Sequence, residues 1–171
     1  SHTITIVDDD VYISINDVTV LENAGTAVFT ISLNKTTINT VSVNYATSNG
    51  TAISGTNYTS TSGTATILAG ATSATVSIPI IDTPAVCEGN RTFNVDLTSG
   101  VNGTIQDNLG IGTIQENDLP IVSVGNATVK EGFMAAVPVS LNQACNMNVT
   151  VSYTMADGTA NATSGDYAGM S

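Results

Sequence analysis

The chain has 171 residues, of which 42% are hydrophobic and 10% are charged, and it contains no tryptophan. This apolar content is enough to build a core, so the low charge content does not indicate disorder. Fourteen Asp and Glu against three Lys and Arg give a formal net charge of −11. A surface this acidic repels phosphate backbones and anionic lipids, and divalent cations are its natural counter-ions. No apolar run approaches the roughly 20 residues that a membrane helix needs. We therefore expect no nucleic-acid partner and no membrane insertion.

The first residues, TITIVDDD at 3–10, return in altered form as IGTIQEND at 111–118. The stretch YATSNGTA at 45–52 also returns, as YTMADGTA at 153–160, at the same offset of 108 positions. Repetition at a fixed period is the mark of tandem domains. The phase predicts the last strand of a preceding repeat at 1–10, one complete repeat at 11–118 and the N-terminal half of a further repeat at 119–171.

Within 11–118, hydrophobic and polar side chains alternate with a period of two, which is typical of strands with one buried face. Clusters of turn-forming residues separate the alternating segments. About seven short strands in a repeat of this size, with no helical period, predict an all-β fold, an immunoglobulin-like two-sheet antiparallel sandwich. The positions predicted to face its core are Ala27, Phe29, Ile31 and Leu33, then Val41, Val43 and Tyr45, then Val76, Ile78 and Ile80, and finally Phe93, Val95 and Leu97.

Residues 119–171 carry only the first strands of a repeat. Alone they would leave an open sheet edge and an exposed apolar face, which small β-domains avoid. We expect either that the polypeptide continues past Ser171 or that a neighbouring copy supplies the missing strands. The expected partners are thus adjacent repeats or neighbouring copies of the same protein.

The sequence offers little for catalysis. His2 is the single histidine, so a Ser–His–Asp or Cys–His site would have to be built at the extreme start of the chain. There is no glycine-rich phosphate loop followed by a helix. The carboxylates cluster with turn residues, not in an apolar cleft that would separate their pKa values. We expect that the protein is not an enzyme.

Six ordered motifs carry a family resemblance: LEN at 21–23, YATSNGTA at 45–52, GTNY at 55–58, SGTATILAGATSATVSIPIID at 62–82, EGNRTFNVDL at 88–97 and GTIQEND at 112–118. In this order they resemble the Calx-β domain, and the resemblance covers almost the whole chain. It implies a β-sandwich of the kind that senses calcium in sodium–calcium exchangers. The family also occurs in long extracellular arrays of adhesins and other surface proteins.

In the calcium-binding members of that family, carboxylates from several loops surround the ions at one end of the sandwich. Asn49 and Asn90 stand where acids are usual, Thr83 and Pro84 replace two carboxylates, and Arg91 brings a positive charge close by. Ca²⁺ takes about six to eight oxygen ligands, so the implied site is weakened. The alternative is that these acids only populate loop ends, as in any β-protein. The resemblance implies as ligands Glu22, Asn49, Asp82, Glu88, Glu116, Asn117 and Asp118 in the first repeat, and Glu131 and Asp157 in an incomplete second site.

Two cysteines, Cys87 and Cys145, are far apart in the sequence and show no metal-ligand spacing. Loops alternate between the two ends of an antiparallel sandwich. This places Cys87 at the exit end of the complete repeat and Cys145 at the entry end of the next one. We hypothesise a disulfide that clamps adjacent repeats and indicates an oxidising compartment. Two free or intermolecularly paired thiols are the alternative.

Eight Asn-x-Ser/Thr triplets make a glycoprotein a further expectation. The leading interpretation is a structural spacer or adhesive module of a long extracellular or cell-surface protein, with calcium possible as a stiffening ion. One alternative is a calcium-sensing regulatory domain like those of exchangers. Another is a filament subunit that is completed by strand donation.

Overall fold

The structure is a computed structural model that describes residues 2, 4 and 10–167. It divides into two compact units, the first formed by Ser1–Ala85 and Gly89–Asp118 and the second by Val86–Glu88 and Leu119–Ser171. The predicted strand of a preceding repeat, at 1–10, lies almost entirely outside the described residues. No helix in the described part of the chain is long and apolar enough to cross a membrane.

The first unit is a sandwich of two sheets, as the alternation predicts. Its strands are β1 (Tyr12–Ile15), β2 (Val18–Leu21), β3 (Thr26–Leu33), β4 (Val41–Asn49), β5 (Ser62–Ile67), β6 (Ser73–Pro79), β7 (Arg91–Val101), β8 (Thr104–Ile105) and β9 (Leu109–Gln115). One sheet has the order β6-β3-β1-β8, and the other has the order β2-β9-β7-β4-β5. A single 3-10 turn at Glu22–Ala24 interrupts the β-structure of this unit's described residues.

The sandwich departs from a purely antiparallel seven-strand arrangement at its first strand. Asn16 and Asp17 divide that strand, so that β1 joins one sheet and β2 joins the other. Both halves then pair in parallel with strands from the end of the repeat, β1 with β8 and β2 with β9. The side chains of the dividing residues hold the crossing, because Asn16 accepts the Thr30 N–H and Asp17 accepts the Ile111 N–H, at 2.6 and 2.7 Å.

The core lies between the two sheets, and the predicted inward positions are buried there, except that Tyr45 is only partly buried. Phe93 is fully buried in this core and contacts two other aromatic rings. The ring of Tyr58 stacks on Phe93 with centroids 4.6 Å apart, and Phe29 packs edge-on at 5.9 Å. Gly112 on the neighbouring strand β9 faces this ring so closely that a Cβ atom would overlap it. The aromatic cluster therefore requires glycine at this position.

The second unit contains a small two-stranded antiparallel sheet of β10 (Val122–Val124) and β11 (Val139–Leu141). The repeat makes Val124 the counterpart of Ile15 and Val139 the counterpart of Ile31. Both counterparts in the first unit are buried, whereas Val124 and Val139 are 66% and 57% exposed. The described residues of this unit thus present the apolar face of a sandwich without its covering strands.

Candidate metal centre

Three strand ends meet at one edge of the first unit. β2 ends at Leu21 and runs in parallel with β9, which ends opposite it at Gln115. β6 ends at Pro79, opposite the start of β3, and the Ile80 N–H donates to the Gly25 carbonyl at 3.0 Å. Since the chain leaves all three strands at the same end of the sandwich, the residues that follow them come together in space.

Those residues include three carboxylates, from Glu22, Asp82 and Asp118. One oxygen from each lies within 4.8 Å of the others. Glu22 is buried, Asp118 is half-buried and Asp82 is exposed, so the cluster opens to solvent on one side. Among the described residues it is the one group of three or more His, Cys, Asp or Glu side chains placed to share an ion.

The buried carboxylate is held in place by Thr83. The Thr83 N–H donates to Glu22 Oε1 at 3.0 Å, and the Thr83 hydroxyl donates to the same oxygen. Thr83 stands where the family resemblance led us to expect an acid, and the sequence alone gave no reason to assign it a role. It fixes the orientation of Glu22 and adds no charge to the cluster.

The donor set fits a hard divalent cation. Carboxylate oxygens are the ligands that Ca²⁺ and Mg²⁺ prefer, and Ca²⁺ tolerates the flexible geometry of loop residues. The three carboxylates, with oxygens within 4.8 Å of one another, carry like charges that repel at this distance. A cation held between the three would convert this repulsion into attraction.

The other predicted ligands of the first repeat are placed differently. Glu116 is not in the carboxylate cluster, and its two oxygens accept the N–H groups of Gly89 and Asp118, at 3.1 and 2.7 Å. Glu88 is also outside the cluster and belongs to the segment grouped with the second unit. Asn117 is exposed beside Asp118. Glu116 thus acts on the loop that carries Asp118.

Asn49 closes a loop at the end of β4. Its Oδ1 accepts the Tyr58 hydroxyl at 2.7 Å and the Ser54 N–H at 3.0 Å. Arg91, expected near the acidic loops, donates from Nη1 to the Thr51 carbonyl at 3.4 Å. Asn90, another position where an acid was expected, accepts the Glu116 N–H at 3.0 Å. The side-chain amides of Asn49 and Asn90 therefore stabilise the loops in which they lie.

In the second unit, Asp157 and Glu131 are the predicted ligands. Asp157 Oδ1 accepts the Tyr167 hydroxyl at 2.6 Å and the Ala162 N–H at 2.9 Å. These two hydrogen bonds, chiefly the one from Tyr167, lower the pKa of Asp157. The bond to Asp157 in turn raises the pKa of Tyr167. Glu131 is exposed, and the metal role of both residues stays a prediction.

Cys87 and Cys145 form the predicted disulfide. Cys87 is buried, and its carbonyl accepts the Asn146 N–H at 2.9 Å. Both cysteines belong to the second unit as the contacts divide the chain. The described structure contains no free cysteine.

The first unit is a two-sheet β-sandwich with a carboxylate cluster where strand ends meet. Comparison with known families is specific, because the Calx-beta domain family matches residues 7–122 and again 115–171. The chain therefore belongs to the Calx-beta domain family. No curated protein sequence matches it significantly.

Solved structures of Calx domains share this fold. The apo form of the Calx CBD1 domain matches with a TM-score of 0.60 and 23% identity, over 64% of this chain and 100% of that one. CBD12 from CALX1.2 matches with a TM-score of 0.59 and 23% identity, over 63% of this chain and 46% of that one. The Calx CBD2 domain matches with a TM-score of 0.55 and 14% identity, over 61% and 86% of the two chains.

Proposed function

We propose that the first unit binds Ca²⁺ at Glu22, Asp82 and Asp118 and that it acts as a binding domain without catalytic activity. The observation that carries the proposal is the convergence of these three carboxylates, one of them buried, at a shared strand-end edge. A structural neighbour, CBD12 of CALX1.1, is described as a calcium binding domain. The family and the cluster together favour calcium sensing over a purely structural spacer.

The bound ion would act on loop order. Glu22 follows β2, Asp82 follows β6 and Asp118 follows β9, so one cation would tie together the ends of strands from both sheets. Without the ion, mutual repulsion favours spreading of the same loops. Since metal binding and loop ordering are coupled, calcium should raise the stability of this edge. Such a change in rigidity is the physical basis of a calcium sensor.

Calorimetric titration of the full chain with CaCl₂, together with its melting temperature, tests this proposal. We expect a measurable binding heat and a rise in melting temperature with calcium. Asp82→Asn should weaken the binding at least tenfold, because it removes one charge from the cluster while the exposed side chain tolerates the change. The absence of both heat and a melting shift at millimolar calcium would contradict the proposal.

Asp107→Asn is the matched control for this experiment. Asp107 is exposed, as Asp82 is, but it lies outside the carboxylate cluster. It accepts the Leu109 N–H at 3.3 Å. Its substitution should change calcium affinity less than about twofold. An equal effect of Asp82→Asn and Asp107→Asn would indicate nonspecific counter-ion binding to an acidic protein.

The disulfide favours a second candidate, a spacer module of an extracellular or cell-surface protein. Disulfides persist mainly in oxidising compartments, and Cys87–Cys145 is present in this structure. Mass spectrometry after alkylation of the protein purified from its native source tests the compartment. We expect no alkylated cysteine without reductant and two after reduction, and two alkylated cysteines without reductant would argue against an oxidising location.

A further inference from the structure

The loop 80–90, between β6 and β7, takes part in both the carboxylate cluster and the disulfide. Asp82 is one of the three clustered carboxylates. Thr83 donates its N–H and its hydroxyl to Glu22, the buried member of the cluster. Further along the same loop, Cys87 forms the disulfide with Cys145, across a sequence separation of 58. A covalent tether to a distant part of the chain therefore lies in the loop that supplies an ion ligand.

After the cysteine, the loop bonds to the third carboxylate's surroundings through Glu116. The Gly89 N–H donates to Glu116 Oε2 at 3.1 Å, and Glu116 Oε1 accepts the Asp118 N–H at 2.7 Å. Asn90 in turn accepts the Glu116 N–H at 3.0 Å. The loop is thus connected to the cluster on both sides of Cys87, before it by Asp82 and after it by Glu116.

The stretch 84–86, just before the cysteine, is exposed. Pro84 has no N–H to donate. Ala85 has a φ of 64°, in the left-handed region that an L-residue keeps only where its surroundings hold the chain. Cys87 itself is buried, and its carbonyl accepts the Asn146 N–H at 2.9 Å. The disulfide and this hydrogen bond therefore fix one end of an exposed stretch whose other end adjoins the cluster.

We propose that the Cys87–Cys145 disulfide controls the calcium affinity of the carboxylate cluster, so that the oxidised chain binds Ca²⁺ more tightly than the reduced chain. This regulation rests on the calcium binding proposed above. The intact disulfide preorganises the loop, so less conformational entropy is lost when the ion binds. After reduction the loop samples more conformations, and the like charges of the cluster drive Asp82 away from Glu22 and Asp118.

The reduction is a thiol–disulfide exchange with a dithiol reductant. Cys145 is half-buried and Cys87 is buried, so a thiolate of the reductant attacks Cys145 Sγ. The S–S bond breaks, and its electron pair leaves on Cys87 Sγ, which takes up a proton. The second thiolate of the reductant then displaces the Cys145 thiolate, which is also protonated. The protein gains two electrons and two protons, and the dithiol becomes a disulfide.

Calorimetric titration of the oxidised and the reduced full chain with CaCl₂ tests the proposal. Dithiothreitol reduces the chain and is removed by gel filtration without oxygen, so that it does not compete for calcium. We expect about tenfold weaker binding by the reduced chain, within the usual range of coupling between two sites. A variant with both Cys87→Ser and Cys145→Ser should bind as the reduced chain does, and dithiothreitol should leave its affinity unchanged.

Hydrogen exchange of the calcium-free chain, followed by NMR, gives a second measurement that does not depend on the ion. The N–H groups of Thr83 and Gly89 should exchange faster after reduction, because both bond to the carboxylates from loop 80–90. The matched control is the Ile111 N–H, which bonds to Asp17 outside this loop and should keep its rate. Faster exchange at Ile111 as well would indicate general unfolding and would overturn a local effect.

The coupling is reciprocal, so calcium should shift the equilibrium between chain and dithiothreitol toward the protein disulfide by the same factor. Equal calcium affinity of the two redox forms would overturn the proposed regulation and leave the calcium site in place. Unchanged exchange at Thr83 and Gly89 would also overturn it. The absence of calcium binding by the oxidised chain would contradict the proposed function itself, and with it the regulation.

Discussion

The loops 49–58 and 157–167 have corresponding sequences and hydrogen bonds, but different neighbours surround the tyrosine of each loop. In the first copy an amide, Asn49, bonds to Tyr58, whose ring is buried against Phe93. In the second copy a carboxylate, Asp157, bonds to Tyr167, whose ring borders an open groove. Burial is the main reason why the pKa of Tyr58 is raised. For Tyr167, the hydrogen bond to Asp157 is the main reason why the pKa is raised.

The two loops share their local hydrogen bonds but differ in the tertiary packing of the tyrosine ring. Corresponding hydrogen bonds form around the tyrosine in both units, although only Tyr58 is fully buried. Burial of the ring depends on strands that are distant in the sequence. Local hydrogen bonds close short loops at little entropic cost, whereas a core requires both sheets.

The largest effect is expected from removal of the Phe93 ring, which contacts both Tyr58 and Phe29 in the first unit. Phe93→Ala should lower the free energy of unfolding by about 3–5 kcal/mol, because it leaves a cavity between Tyr58 and Phe29. Phe133→Ala in the second unit should cost less than about 0.5 kcal/mol, because the side chain is mostly exposed. Urea denaturation of both variants measures the difference, and equal losses would show that Phe133 is buried in solution.

A smaller loss of stability is expected when a glycine next to the Phe93 ring is substituted. Gly112→Ala should destabilise the protein by about 1–3 kcal/mol, because the added Cβ overlaps Phe93 and forces the core to shift. Gly158→Ala is the matched control, since nothing lies within 4 Å of a Cβ built there. Thermal unfolding compares the two, and a neutral Gly112→Ala variant would mean that the aromatic cluster packs more loosely.

The smallest effect concerns the two tyrosines at alkaline pH. Because the pKa of Tyr58 is raised on folding, its stabilising contribution is present below the ordinary tyrosine pKa of about 10. It is lost as the pH rises through the folded value. Tyr58→Phe should cost about 1 kcal/mol at pH 8 through loss of the bond to Asn49.

Unfolding in urea between pH 8 and 11 checks this prediction. The Tyr58→Phe variant should lose less stability than the parent over that range, because a phenylalanine side chain has no hydroxyl to ionise. Tyr45→Phe is a suitable control, since Tyr45 is only partly buried. A parent and a Tyr58→Phe variant with the same pH profile would argue against ionisation of a buried phenol.

Several features of the fold were accessible from sequence for clear reasons. Alternation with period two predicted the inward positions from Ala27 to Leu97, because side chains of a strand point to opposite faces. The sequence did not predict the parallel pairing of β2 with β9. That pairing joins residues about ninety positions apart, and it depends on the division of the first strand at Asn16 and Asp17.

The candidate site was predicted only in part for a related reason. Glu22, Asp82 and Asp118 were among the proposed ligands, but motif order could not show which acids converge. Glu116, proposed with equal weight, instead bonds to the backbone of Gly89 and Asp118. A carboxylate at a loop end can bind a cation or cap N–H groups, and the sequence pattern is the same in both cases.

The alternating segments and their inward faces could be read from the sequence, because they depend on residue type and on short spacings. Which carboxylates lie close together, and how the divided first strand pairs with β8 and β9, became clear only from the folded structure. Both depend on contacts between segments far apart in the chain. No local pattern records those contacts.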